Sequence, residues 1–474
     1  MRKQSSLENI SKSVEANSRL KIGSSEHDRY QINNVNYKKT LIYNAPYLFT
    51  CDKNDKLKIL ENHSIAINNG IIKSVAPAKK TIPKGFDIVY DASKRGGIVV
   101  TPGLINTHAH IHMYLLRSAM MLDEGESIDE TIAAMARWQK FDTDEDHTIA
   151  CIGDITEQQK HGITTTLTHG PNFSAVEEAT RATNHVCVNA VSAISNSRPD
   201  NTPEAAEKYL KQKNTFSIPA ISLHYLYKAP DEVLKKIKKL QKKYKALLTF
   251  HMAESEYVSG KTVEAHGRRE TGVLKKYGLL NSQSLASHVL HVTDKEIAEL
   301  AKSKVGIAHL PTSNLIHKSG TFKFWDFEAA GAFPRLSLGT DSVVSKNRLD
   351  ILTEAYQTRV THLYRKTVKF SSLFKMMTAN GARVLNMKDR GKIIAGHKAD
   401  ICFWKLKDRG CIPYDKDNPV TLLGNIITHG GRYVRDLMIN GKFVIKDRKH
   451  VLIDESKLLE EIQKAHISIR KRIG

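Results

Sequence analysis

The sequence predicts an α/β protein, a (β/α)8 TIM-type barrel carrying a small β-sandwich domain built from both ends of the chain. Three observations lead there. Eight apolar, strand-like runs alternate with helical patterns through the middle of the chain. Shorter strand-like runs, punctuated by Asn-Gly and Pro-Lys-Gly, flank them on both sides, and residues of metal-ligand type sit at the ends of the central runs. Alternation of strand and helix favours a parallel sheet covered by helices, and closing such a sheet gathers its strand ends on one face.

Taken in order, residues 1–38 are polar, rich in Ser, Asn and Lys, and lack a sustained apolar period, the composition of a mobile arm. Over 39–99 the runs LIYNAPYLFT, SIAINNGIIKSV and FDIVYDA have the pattern of a small antiparallel sheet, with Asn69-Gly70 as a hairpin turn. The same texture returns over 384–452 in ADICFWKL and RYVRDLMINGKFVI, with a second turn at Asn440-Gly441, so the two stretches are expected to share one domain. Between them, over 100–383, strands are expected to end near His110, His169, Ser195, His224, His251, His291, Asn314 and Asp341. Helices are expected over 144–160, 175–184, 203–213, 231–243, 262–277, 294–303, 324–332 and from 349 onward. Right-handed crossovers then leave few topologies besides a barrel. A last helix is expected over 453–474.

A chain of 474 residues with 41% hydrophobic and 26% charged residues can bury a large core, which excludes a mostly disordered protein. The formal charge of +22, from 72 Lys and Arg against 50 Asp and Glu, raises the question of a phosphate-bearing or membrane partner. The densest basic run, Lys235, Lys236, Lys238, Lys239, Lys242, Lys243 and Lys245, surrounds Val233, Ile237, Leu240 and Tyr244 at helical spacing. It therefore reads as the wet side of an amphipathic barrel helix, and neither nucleic acid nor membrane is the expected partner. Five cysteines without CxxC spacing exclude a disulfide framework and a zinc knuckle and fit a reducing compartment. With no secretory leader pattern and no apolar run long enough to span a bilayer, a soluble cytoplasmic protein is expected, with self-association left open.

In THAH, His108 and His110 are one residue apart, so an extended backbone turns both toward one side and permits joint ligation of one ion. Taken alone, such a pair is as often structural as metal-binding. Its company decides: His251 follows the apolar run ALLTF, and Asp341 ends the last candidate strand. Three neutral imidazoles and a carboxylate suit one divalent ion, Zn²⁺ before Fe²⁺. Such an ion makes hydroxide available near neutral pH, so the expected chemistry is hydrolytic. Glu254, three residues past His251, is placed to move a proton from water to a leaving nitrogen. Of His288 and His291 only one should face the metal, because three residues reverse a strand's side; that one would polarise the attacked centre. His169 and His309 also end strands and read as structural. Trp138 is the one tryptophan placed to wall a pocket.

From about residue 40 to about residue 450 the chain resembles the amidohydrolase superfamily, in the branch of S-adenosylhomocysteine/methylthioadenosine deaminases, guanine deaminases and atrazine chlorohydrolase-like enzymes. The motifs PGLINTHAH, LLRS, GITTT, HMAES, SHVLHVTD, AHLPTSN, LGTDS and GARVL stand in the family's order. The resemblance implies His108, His110, His251 and Asp341 as metal ligands and Glu254 and His288 as catalytic, with Asp341 also a base toward the water. For substrate contacts it implies Gln139, where deaminases often carry Glu and chlorohydrolase-like members do not, and His224, in a segment like the deaminases' HAPYT.

The expected function is metal-dependent hydrolytic deamination of a nitrogen heterocycle such as a purine or nucleoside. A triazine-type hydrolase releasing halide or alkylamine is the alternative favoured by Gln139. A catalytically inactive basic binding scaffold is the third reading, and an intact ligand set argues against it.

Overall fold

The computed structural model describes residues 38–94, 96–118, 128–194, 201–213, 215–346, 348–429 and 433–474. The arm read at 1–38, apart from Lys38, and the strand end read at Ser195 lie outside the described residues.

Five strands precede the barrel: β1 (Lys39–Cys51), β2 (Leu57–Asn68), β3 (Ile71–Pro77), β4 (Ile88–Asp91) and β5 (Ile98–Pro102). The barrel follows as β6 (Leu104–Ala109), β7 (Ile163–Gly170), β8 (Val186–Ser192), β9 (Ile218–Tyr225), β10 (Leu248–Met252), β11 (Ser284–His288), β12 (Gly306–His309) and β13 (Leu336–Leu338). These eight pair in parallel, each with its sequence neighbour. Their side chains are buried almost throughout, as expected of strands covered on both sides.

The helices between them start at side-chain caps. Thr143 and Thr293 form capping boxes with Asp146 and Glu296, and Asn172, Thr202 and Ser255 each accept a backbone N–H. The lysine-rich helix Asp231–Tyr244 buries Leu234, Ile237 and Leu240, while Lys236 and Lys243 reach Glu204 at 2.6 Å and Glu207 at 2.9 Å. Two of its lysines are thus paired across neighbouring elements.

Several elements differ from the sequence pattern, among them β13, which stops at Leu338 rather than near Asp341. The helix read over 262–277 is two, Glu256–His266 and Glu270–Lys276, because Gly267 takes a left-handed φ of 66° and caps the first. β12 stops at His309 rather than near Asn314, since Pro311 starts the helix Pro311–Ile316. β11 stops at His288 rather than His291, where φ turns to 68°.

Closure of the barrel rests on a short seam. β13 has three residues and meets β6 through one parallel bridge, Ala109 with Asp341, and through Asp341 N–H to His108 O at 3.0 Å. Side chains do the rest: Thr107 Oγ1 donates to Leu338 O at 2.8 Å, Asn106 Nδ2 donates to Thr340 Oγ1 at 2.7 Å, and Thr340 N–H returns to Asn106 Oδ1 at 3.0 Å.

After the barrel come β14 (Ile401–Lys405), β15 (Asp436–Ile439), β16 (Lys442–Lys446) and β17 (Lys449–His450). With the first five strands they make one nine-stranded sheet that is mixed rather than antiparallel as the runs over 39–99 suggested, since β1 runs parallel to β4 and β5 while β14 joins β5 antiparallel. The sheet curls over a shared core of Ile42, Leu48, Ile65, Val100, Ile401, Phe403, Met438 and Phe443. Its two Asn-Gly turns touch: a Cβ on Gly441 would meet Gly70 Cα at 2.6 Å, and both glycines have φ above 70°. The helix Glu455–Ile473 packs Ala465 and Ile469 against Trp138 and the segment Ile111–Leu116 that leaves the THAH motif.

Two buried histidines tie this sheet to the barrel through Gln159. His450 Nε2–H donates to Gln159 Oε1 at 2.6 Å and its Nδ1 accepts from Leu452 and Ile453 N–H, while Gln159 Nε2 donates to His185 Nδ1 at 3.4 Å. Both rings are therefore held neutral, and burial pushes each down to about 3 from 6.5. A histidine whose folded value is depressed contributes stability that is complete above 6.5 and lost as pH falls toward the folded value, by at most about 1.4 kcal/mol per pH unit for each ring. Urea unfolding is thus expected to show a falling free energy between pH 7.5 and pH 5. In His450→Asn, where an amide oxygen replaces Nδ1 as acceptor, that slope should flatten; an unchanged slope would reject the assignment.

Candidate metal centre

Four donor atoms converge at the C-terminal ends of the barrel strands. His110 Nε2 and His251 Nε2 lie 3.3 Å apart, and Asp341 Oδ1 lies 3.7 Å from His108 Nε2 and 3.6 Å from His110 Nε2. Two ligands each about 2.1 Å from an ion at the tetrahedral angle lie roughly 3.4 Å apart, so these spacings fit one cation. His108 Nε2 supports this independently, being buried without a hydrogen-bond partner while its Nδ1 is bonded to Ser287 Oγ at 2.7 Å. His251 Nδ1–H donates to His224 O at 2.9 Å, which turns the Nε2 lone pair to the centre. His288 is within ligand reach as well, since donor atoms of His108, His251 and His288 lie within 4.8 Å of one another.

Burial prepares these groups for metal. It is the largest cause of the lowered values of His108 and His110 and of His251, brought to about 4. Burial would raise Asp341, but the electrostatic influence of the neighbouring His110 and His288 rings and a 2.6 Å hydrogen bond from Ser313 Oγ outweigh it and hold the carboxyl below the usual range. Neutral imidazoles and an ionised carboxylate are the donor set of a divalent cation.

The loops that present these groups are strained. Asp341, His288 and Ala253 have φ of 60°, 68° and 47°, each costing about 1–3 kcal/mol in a residue with a Cβ. Local bonds offset this at Asp341, whose Oδ1 accepts its neighbour Ser342 N–H at 2.8 Å. Glu270, at the second helix after β10, accepts Ala253 N–H at 3.3 Å and Ser259 Oγ at 3.1 Å and so braces the turn after His251.

Beside the donors stand Glu254 and His288. Glu254 Oε1 is 3.5 Å from His288 Nε2, and His288 Nδ1–H donates to Asn314 Oδ1 at 2.8 Å. His291 is turned away, bonded to Glu256 at 2.9 Å and Ser319 O at 2.6 Å, so of that pair only His288 joins the cluster. His224 is half-buried, with its ring 4.5 Å from that of His251. Gln139 is half-buried at the end of the helix Ile128–Gln139, and among the described residues no hydrogen bond or ring contact joins it to the cluster. Trp138 stacks on His466, centroids 5.5 Å apart, and so packs against the last helix rather than walling the cluster. His169 is held by Ser222 and Thr249 hydroxyls, and His309 by His362 at 3.1 Å.

Sequence reasoning missed Tyr225, whose hydroxyl donates to Glu254 Oε2 at 2.8 Å. Alternation opposes it to His224, but a step of three positions in β9 (Ser222 to Tyr225) runs against a step of two in β10 (Thr249 to His251), and a bulge of this kind re-aims side chains. His317 was missed too: it lies buried, 3.1 Å from Ser345 Oγ, near enough to Asp341 and Glu254 to feel their charges. It sits in a loop with no periodic signal.

The amidohydrolase family model matches residues 99–444, most of the chain. The chain belongs to the amidohydrolase family. It is accordingly a hydrolase of carbon–nitrogen bonds other than peptide bonds. Curated relatives include the 5-methylthioadenosine/S-adenosylhomocysteine deaminase of Pyrococcus furiosus, 28% identical over 84% of this chain and 94% of that one. The 5′-deoxyadenosine deaminase of Methanocaldococcus jannaschii is likewise 28% identical, over 86% and 97%. Among solved structures, a zinc complex of atrazine chlorohydrolase from Arthrobacter aurescens shares the fold with a TM-score of 0.81 at 19% identity, covering 90% of this chain and 100% of that one. A zinc-bound adenosine deaminase from Xanthomonas campestris does so with a TM-score of 0.79 at 23% identity, covering 91% and 98%.

Gly339 makes this member's seam sensitive. A Cβ there would meet His108 Cβ at 2.7 Å and His108 N and O at 3.0 Å, so Gly339→Ala must displace the backbone that carries two of the donors. Metal retained after dialysis is expected to fall about tenfold or more, the scale of lost ligand support. Gly260→Ala, with nothing within 4 Å, should retain metal as the wild type does.

Proposed function

We propose that this amidohydrolase is a zinc-dependent deaminase that releases ammonia from the aminopurine of an adenosine-type nucleoside. The observation that carries the reading is the convergence of His108, His110, His251 and Asp341 donors beside the Glu254–His288 pair at one end of the barrel. The names of the curated relatives supply the substrate class. Nitrogen-rich donors with one carboxylate favour Zn²⁺, with Fe²⁺ the alternative.

His108, His110, His251 and Asp341 would hold the ion, which supplies Lewis acidity and lowers the pKa of a water it binds. The chain's own groups then manage protons. Asp341, ionised in its buried setting, accepts a proton from the attacking water. Glu254 takes the water's other proton on the oxygen that faces His288 and passes it to the leaving amino nitrogen, while the proton held by Asp341 goes to the product ring. His288, fixed by Asn314, presents Nε2 to the attacked carbon's ring and steadies charge developing there. His224 borders the cluster where a ring would enter, and Gln139 is retained as a candidate contact from the preceding helix.

We further read the chain as a composite β domain at 39–99 plus 384–452, a barrel at 100–383 and a last helix at 453–474. No described helix is long and apolar enough to cross a membrane, and all five cysteines are free and buried. Both facts are in keeping with a cytoplasmic enzyme.

Metal analysis with ammonia release tests the reading on 5′-methylthioadenosine, S-adenosylhomocysteine, 5′-deoxyadenosine, adenosine, guanine and a chlorotriazine. One metal ion per chain and ammonia from the adenosine-type compounds are expected; chelation should abolish turnover and Zn²⁺ restore it. Glu254→Gln should keep the ion and lower kcat about 10²- to 10⁴-fold, the usual yield of general acid/base catalysis. Halide from the triazine without ammonia from any purine would favour the triazine hydrolase instead, and no turnover with a full complement of metal would reject both.

A further inference from the structure

On the reading that Glu254 moves the proton, we propose that Tyr225 is a positioning residue that locks the Glu254 carboxylate through its phenol and leaves one oxygen for proton exchange. The two oxygens of Glu254 face different partners. Oε2 accepts the Tyr225 hydroxyl at 2.8 Å, and Oε1 lies 3.5 Å from His288 Nε2. Without the phenol, nothing else described holds Oε2, and the carboxylate is free to rotate or to swing toward the cation site, where a further negative ligand would quench the reaction. A buried hydroxyl-to-carboxyl hydrogen bond of this length fixes its acceptor oxygen firmly.

The ring that carries the hydroxyl is itself immobilised. Tyr225 is 3% exposed, stacks on Tyr227 at 5.4 Å between centroids, and has the rings of His224 and His251 at 4.7 Å and 5.1 Å. The β9 bulge brings it to the site although it adjoins His224 in sequence. Burial and the Glu254 carboxyl push its pKa well above the ordinary phenol range, so the hydroxyl keeps its proton and stays the donor. A rigid, protonated donor on one carboxylate oxygen fixes both the orientation of the acid and which oxygen works.

The test is a double-mutant cycle on the zinc-loaded enzyme with 5′-methylthioadenosine. Tyr225→Phe keeps the ring and removes only the hydroxyl, so metal content and thermal midpoint should match the wild type. kcat should fall about 10- to 100-fold, the range for a hydrogen bond to a charged group, with KM changed by less than about twofold. In the Glu254→Gln background the same substitution should cost less than about twofold, because a residue that acts through Glu254 has nothing left to position. An unchanged kcat in Tyr225→Phe, or an equal loss in both backgrounds, would overturn the role of Tyr225 while leaving that of Glu254 standing. If Glu254→Gln leaves kcat intact, or the wild type releases no ammonia, both readings fall together.

Discussion

Closing the barrel presses β13 against β6, and that contact carries the chemistry. Asp341 follows β13 by three residues and gives its N–H to the carbonyl of His108 in β6, so the bond that shuts the sheet also sets two donors at a fixed spacing. A three-residue strand has few ladder bonds to offer, and the seam is completed by Asn106, Thr107 and Thr340 side chains and by the absence of a Cβ at Gly339. A parallel barrel must close somewhere; here closure and the candidate metal centre share the same residues. The packing of the last helix on Ile111–Leu116 extends the support to the chain leaving His110.

Burial then sets the charge state of what closure brings together. The same desolvation that lowers the three candidate ligand histidines would leave a carboxyl protonated, yet Asp341 stays ionised because imidazoles and Ser313 surround it. A buried anion of this kind is tolerated only with such partners. Left-handed backbone at Asp341 and His288 shows that position is maintained against local preference, as is common where side chains must be aimed rather than merely packed.

The strongly basic surface plays no visible part in this arrangement. Lysines of the helix Asp231–Tyr244 pair with Glu204 and Glu207 across neighbouring elements, and such exposed pairs contribute about 0–1 kcal/mol each. Their role is to keep an apolar helix wet on its outer side. The composite sheet, by contrast, is joined to the barrel by buried polar links through Gln159, His185 and His450, where each ring must stay neutral to keep its partners.

By itself the sequence determined the periodicities: eight alternations of strand and helix, the two Asn-Gly turns, and His108, His110, His251, Glu254 and Asp341 at strand ends. These are local, because a strand end, a hairpin or an alternating face is specified by residues within a few positions of one another. From the residues alone the choice between His288, the last residue of β11, and His291, three positions beyond it, was not local; it turned on the left-handed turn at His288 and on Asn314, 26 residues away. Tyr225 was hidden because alternation puts it opposite His224, and only pairing with β10 reveals the bulge that turns both toward the centre. Trp138 seemed a pocket wall from its place beside Gln139, yet a helix more than three hundred residues later covers it. Register, closure and the packing of distant segments depend on partners that no stretch of chain contains, and so the tertiary structure alone decided which of the candidate groups meet.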